Sequence, residues 1–289
     1  MDPIKVGLLA AIVLAALALA GVWFVVMRRR RIAPDGAAPG FAIGFVTNFL
    51  DTLGIGSFAP TTAALKLFRL VPDELIPGTL NVGLAVGSTL ESLIFITTVK
   101  VSPALLAAMV VAAAVGAWFG AGVVVRLPRR AIQTGMGVAL LIAGLVFAAV
   151  NLELLPGGGE AVTLPPGAFA FAVGVSLLLG ALMTIGIGMY APTMILLALL
   201  GMHPLTAFPI MMGACALLMP AAGVRFIGSG RLSFGTALGL SLGALAGVPL
   251  AAFVVRSLPL ETLRWLVVLV VLYAALSMLR PALSRAPAA

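Results

Sequence analysis

Charge is what this chain has least of. Asp, Glu, Lys and Arg make up 9% of its 289 residues, hydrophobic residues make up 62%, and the mean hydropathy is +1.24. So few charges cannot keep a globular surface of this size in water, which leaves a polytopic helical membrane protein. A single cysteine, Cys215, excludes a disulfide framework and a cysteine-built metal site. A single histidine, His203, argues against a zinc or haem centre. There is no Walker A loop and no paired nucleophile and base, so the expectation is a protein that is not an enzyme and uses no cofactor or metal. In a soluble chain, 17 Lys and Arg against 9 Asp and Glu would suggest nucleic acid. Here the basic residues stand at the ends of apolar segments, where they set topology and attract lipid headgroups or anionic solutes. The expected partners are therefore membrane lipid and a small anion, with no nucleic acid; a homo-oligomer is left open.

What the chain does have is one phrase said twice. Gly54-Ile55-Gly56-Ser57-Phe58-Ala59-Pro60-Thr61 returns 132 residues later as Gly186-Ile187-Gly188-Met189-Tyr190-Ala191-Pro192-Thr193. Between positions 52 and 77, eleven of 26 residues are identical at that offset, including Thr52, Leu65, Leu67, Pro72 and Pro77. Further on the offset is 131, pairing Ser102 with Ser233, Gly116 with Gly247 and Leu127-Pro128 with Leu258-Pro259. Prolines and glycines in phase over such a distance mark an internal duplication. Glycines followed by a proline break a helix inside an apolar region. Two breaks in corresponding positions of two halves point to a transporter's binding site.

Taken in order, residues 4–27 are long enough to cross a bilayer at roughly 20 residues per crossing, and Arg28 to Arg31 follow them. A signal peptide cleaved near Ala18-Leu19-Ala20 competes with this reading, but the four arginines stand on its wrong side. The expectation is a retained extra helix within residues 1–40, followed by repeat one (41–150), an extracytoplasmic linker without Lys or Arg (151–166), repeat two (167–281) and a cytoplasmic tail (282–289). Repeat one should contain helices 41–55 and 60–70 around the break, then crossings 79–99, 103–125 and 132–150. Repeat two should contain 167–185 and 192–200 around its break, then 204–226, 233–255 and 262–279.

Whether each broken segment crosses the membrane or folds back is decided by charge. If 41–70 and 167–200 are hairpins that enter and leave on one side, thirteen of the 17 basic residues face the cytoplasm, leaving Lys5, Lys100, Arg256 and Arg264 outside. If they are single crossings the split is 9 against 8, which gives no positive-inside bias. Hairpins leave three crossings per half, an odd number, so the halves run inverted. The expected fold is all-α: one extra N-terminal helix, then two inverted-topology repeats, each a re-entrant broken-helix hairpin plus three transmembrane helices. The N-terminus is outside and the C-terminus cytoplasmic, in the cell (inner) membrane.

Irregular backbone at membrane depth is tolerated only where it is buried in protein or lines a cavity. Pro60 and Pro192 suit the first position of a helix, so the short helices are expected to begin at the hairpin tips and aim their free N–H groups and positive dipole ends there. Two such tips facing each other offer backbone donors to a compact anion. Thr52, Ser57, Thr61, Thr184, Tyr190 and Thr193 supply hydroxyls, and Gly54, Gly56, Pro60, Gly186, Gly188 and Pro192 supply the scaffold. The competing reading is that the glycines only allow close helix packing. Asp51 and Glu91 are intramembrane carboxyls, costly and hence functional by default. Both are candidates to carry a coupling proton; Asp51 has a competing role as cap of the tip, and Asn48 and Asn81 are candidate partners for Glu91. Lys66 and Arg69 are expected to snorkel to the cytoplasmic interface and His203 to sit at a hairpin base. The methionines read as core filler.

The duplicated glycine segment followed by Ala-Pro, with Pro72, Pro204 and Arg126-Leu127-Pro128, resembles the sulfite exporter TauE/SafE family over residues 41 to about 281, leaving 4–27 outside the resemblance. Where that family's pattern carries further glycine, this chain has Ser57-Phe58 and Met189-Tyr190. The resemblance implies export of small anions such as sulfite or sulfoacetate, with Gly54, Gly56, Pro60, Gly186, Gly188 and Pro192 as the site scaffold. The reading is a secondary transporter of small anions held at the paired tips. The alternatives are a proton-coupled carrier or channel for another solute class, or a non-transporting membrane scaffold.

Overall fold

The computed structural model describes residues 2–154, 159–186 and 188–254, and, of the segment beyond, Trp265, Val268, Leu269, Val271–Tyr273, Ala275, Leu276, Leu279 and Arg280. Half of the expected crossing 262–279 and all of the tail 282–289 lie outside the described residues. Among those described, regular structure is helical apart from one isolated parallel bridge between Ala161 and Met202.

Helix α1 (Pro3–Arg30) starts where Asp2 accepts from Ile4 N at 2.8 Å and carries Arg28–Arg30 in its last turn, both placements that suit the helix dipole. Leu8, Leu9, Ile12, Leu19 and Trp23 are buried, and Lys5 Nζ donates to Ile96 O and Val99 O at 3.1 Å each. The helix is therefore packed into the bundle.

Helices α2 (Ala37–Thr52) and α3 (Phe58–Leu67) flank the first break. Thr61 Oγ1 donates to Thr47 Oγ1 at 2.9 Å, which ties α3 to α2. A 3₁₀ turn (Asp73–Leu75) leads to α4 (Ile76–Gly83) and α5 (Ala85–Thr98). The sequence expects one helix over 79–99. The structure begins it earlier and interrupts it at Leu84, beside Gly83, whose carbonyl accepts from Ser241 Oγ at 2.9 Å. Then follow α6 (Pro103–Val124), α7 (Arg129–Asn151), α8 (Pro166–Met183), α9 (Tyr190–Leu199), α10 (Ala207–Ser229) and α11 (Phe234–Val254). Seven helical stretches among the described residues are long and apolar enough to cross a bilayer, α8 among them.

The duplication reappears as packing. Helix α2 lies along α11, and its repeat mate α8 lies along α6, the repeat mate of α11. Each half thus lends its first helix to the other. The contacts agree residue by residue: Gly116 faces Leu177 O, its mate Gly247 faces Phe45 O, and Phe45 and Leu177 are themselves 132 apart. Small residues at these crossings let the backbones meet, as is usual where lipid gives helices no hydrophobic reason to associate. Outside, Phe119, Phe171 and Phe253 are exposed, a surface that only lipid accommodates. Inside, Asn48, Asp51, Thr61, Glu91 and Ser92 are buried.

The segment that follows α3 is held by charge. Lys66 Nζ pairs with Asp73 Oδ1 at 2.6 Å, Gln133 Nε2 donates to Asp73 Oδ2 at 2.7 Å, and Arg129 approaches at 3.5 Å. Lys66, expected to snorkel, is thus an ion-pair partner of Asp73. Asp73→Ala, which strips three partners of their acceptor, should destabilise the fold by roughly 1–3 kcal/mol. Thermal unfolding in detergent should show this loss, and should show wild type losing part of its advantage at high salt; equal midpoints would make the cluster ornamental. The segment that follows α9 is held by backbone instead: His203 N donates to Ala161 O at 2.8 Å and Gly159 N to Met202 O at 3.0 Å.

Candidate functional site

Both breaks are turns that need glycine. Gly54, Gly56 and Gly186 have φ of 85°, 89° and 110°, a region that costs other residues about 1–2 kcal/mol. A Cβ would also press on Phe208 at 3.0 Å from Gly54 and on Met136 at 3.1 Å from Gly186, so turn and close packing both call for glycine at those two positions. At Gly56 and Gly188 a Cβ would meet its nearest neighbour at 3.7 Å, an ordinary contact.

The short helices begin two residues earlier than the sequence suggests, at Phe58 and Tyr190. Pro60 and Pro192 consequently occupy the third helical position rather than the first. The reason is the same, because the third N–H of a helix also lacks an intrahelical acceptor. Neither helix has a side-chain cap. At α3 the N-cap residue, Ser57, gives its hydroxyl to Asp51 Oδ2; at α9 the N-cap residue is Met189, which has no acceptor suited to capping.

The two starts meet at one cavity of about 40 Å³, space for a few waters or a compact ion. Asp51, Gly56–Ala59, Gly188–Pro192, Met183, Cys215 and Met219 line it, and α7 closes one side with Ala139, Ile142, Ala143 and Val146. Residues at both helix starts thus border the same space. Asp51 is 1% exposed, and its Oδ1 has no partner. Behind it lies Glu91, fully buried, accepting from Thr52 Oγ1 at 2.9 Å and from the Tyr190 hydroxyl at 3.2 Å. Tyr190 belongs to the second half, and its ring pins the acids of the first half in place.

Of the residues expected at the site, Asp51, Gly56, Ser57, Gly188, Tyr190 and Pro192 line the cavity. Thr52 and Glu91 stand behind its wall, while Gly54 and Gly186 shape the turns. Pro60, Thr61, Thr184 and Thr193 do not reach it: Thr61 bonds to Thr47, Thr184 to Ala181 O at 2.6 Å, and Thr193 Oγ1 is buried without a partner. Each of these hydroxyls lies on a helix face turned away from the tip. The expected Asn48 and Asn81 partners of Glu91 are also corrected, since both amides donate to carbonyls four residues back in their own helices. The cap role for Asp51 is met in part, through Ser57. Missing from the sequence reading are Met183, Met189, Cys215, Met219 and the α7 lining. Met183 alone carries a signal, as the repeat mate of Asp51; Met211 and Met212 are core, as expected.

A multi-pass helical membrane protein whose broken helices meet at an interior cavity is the class these features define. The chain belongs to the sulfite exporter TauE/SafE family, whose model matches residues 2–147. The match starts at α1, which the sequence resemblance leaves outside, and ends within α7, so α1 belongs to the family's pattern and the resemblance over the second half rests on the duplication alone. Neither the curated proteins nor the solved structures contain a match.

Proposed function

We propose that the protein is a secondary transporter that carries a small anion, such as sulfite or an organosulfonate, out of the cell, with the solute held between the two tips. The pair of uncapped helix N-termini on one cavity carries this reading. Orphan N–H groups and two positive dipole ends converge where the chain offers no capping group of its own, and a small anion satisfies them. We read α2–α3 and α8–α9 as re-entrant hairpins and the halves as inverted repeats, N-terminus outside and C-terminus in the cytoplasm. The bond between Thr61 and Thr47 supports this, and so do the short helices, each 10 residues or roughly 15 Å long, half a hydrocarbon core. Transport then proceeds by rocking of the halves about the tips.

Asp51 on the cavity wall favours a second reading, a proton-coupled carrier of another solute class. A thermal-shift series on purified protein with sulfite, sulfonates and carboxylates separates the two. An anion at about a hundred times its Kd should add about 2.7 kcal/mol. Stabilisation by none of them removes the anion reading, and the scaffold reading requires that result.

A further inference from the structure

The open helix ends and the acid beside them make opposite demands on whatever enters the cavity. Asp51 comes from α2, Glu91 from α5, Tyr190 from α9 and Cys215 from α10; α3 adds Ser57, and α7 and α8 add only Ala, Ile, Val and Met side chains. No Lys, Arg or His lines the space among the described residues. The two acids differ in how they are served. Glu91 is engaged by two hydroxyls, Thr52 on one oxygen and Tyr190 on the other, and Thr52 shares its single proton with Asn48 O. Asp51, itself on the cavity wall, receives Ser57 on Oδ2, and its Oδ1 is buried without a partner. An ionised Asp51 would confront an incoming anion with a bare carboxylate oxygen. A protonated Asp51 confronts it with an O–H donor that joins the free amides of α3 and α9.

Resting on the anion-transport reading, we propose that the cavity takes its anion together with one proton, seated on Asp51, so that the proton is the coupling ion. Water on the side facing the cavity supplies the proton. It forms the O–H bond on Oδ1, donates from there to the bound anion, and returns to water on the opposite side once the anion has left. A monoanion and a proton move together, and no net charge crosses. Glu91 is a positioning residue: it holds Thr52 and Tyr190 and keeps the Tyr190 ring against the cavity.

The test uses purified full-length protein and methanesulfonate, a monoanion throughout the pH range. Wild type should bind about tenfold more weakly per pH unit above the point where Asp51 titrates, and should take up one proton per anion in weakly buffered solution. Asp51→Asn should keep binding but lose both the slope and the proton uptake. Wild-type binding with neither, or Asp51→Asn binding with both, overturns the proposal. If methanesulfonate does not bind wild type at all, the anion reading fails for this solute, and an infrared comparison in H₂O and D₂O judges the proton seat without any solute. A protonated-carboxyl band should appear in wild type and in Glu91→Gln and lose intensity in Asp51→Asn; a band whose intensity is unchanged in Asp51→Asn overturns the assignment.

Discussion

Gly56→Leu should reduce anion flux in proteoliposomes to the level of empty vesicles while the purified protein remains folded. Two effects act together. The residue has a φ of 89°, where a side chain costs about 1–2 kcal/mol, a strain the fold can absorb. The new side chain also points at the Tyr190 ring, with its Cβ 3.7 Å from Cδ2, and fills a cavity of only about 40 Å³. Gly174→Leu, on the exposed face of α8 with nothing within 4 Å, is the control and should transport like wild type. Normal flux through Gly56→Leu would remove the cavity from the transport path. Loss of the folded protein instead would mean that the turn is too tight for the test, and Ser57→Val, which also lines the cavity but needs no positive φ, would then answer it.

Gly116→Leu should have the opposite signature, a protein that no longer assembles. A Cβ at Gly116 would lie inside the van der Waals radius of Leu177 O, and a backbone carbonyl cannot turn aside as a side chain can. Overpacking ordinarily costs about 1–3 kcal/mol. Here α6 and α8 must separate along their length, which removes the close contact that holds helices together in lipid, so the cost should exceed that range. Gly247→Leu places the same atom against Phe45 O and should fail alike, whereas Gly7→Leu, in open space on α1, should be neutral. Monodispersity on size exclusion and the unfolding midpoint report all three. If Gly247→Leu is harmless while Gly116→Leu is not, the packing exchange between the halves is not the feature that stabilises them.

The local features of the fold were legible because their causes are local. Apolar runs, the glycine–proline breaks and the duplication each follow from residues near one another in the chain, and they placed α2, α3, α6, α8, α9, α10 and α11 within a few residues. The errors have a different origin. The contact of Ser241 with Gly83 O, beside the interruption at Leu84, joins residues 158 apart. The hydroxyls at Thr61, Thr184 and Thr193 are near the tips in sequence but rotate off the cavity, since a helix turns neighbouring positions to different faces. Asn48 and Asn81 were natural guesses for Glu91, yet the partner is Tyr190, 99 residues away and in the other half.

By itself, then, the sequence determined an all-helical membrane protein, a duplication, and two helix breaks of matching chemistry, because hydropathy and glycine and proline conformation act residue by residue. The tertiary structure alone decided that both breaks open on one cavity, that Tyr190 ties the second half to the acids of the first, and that Asp51, on the cavity wall, keeps one oxygen without a partner. Those facts depend on which helix faces meet, and the meeting is fixed by packing between residues far apart in the chain.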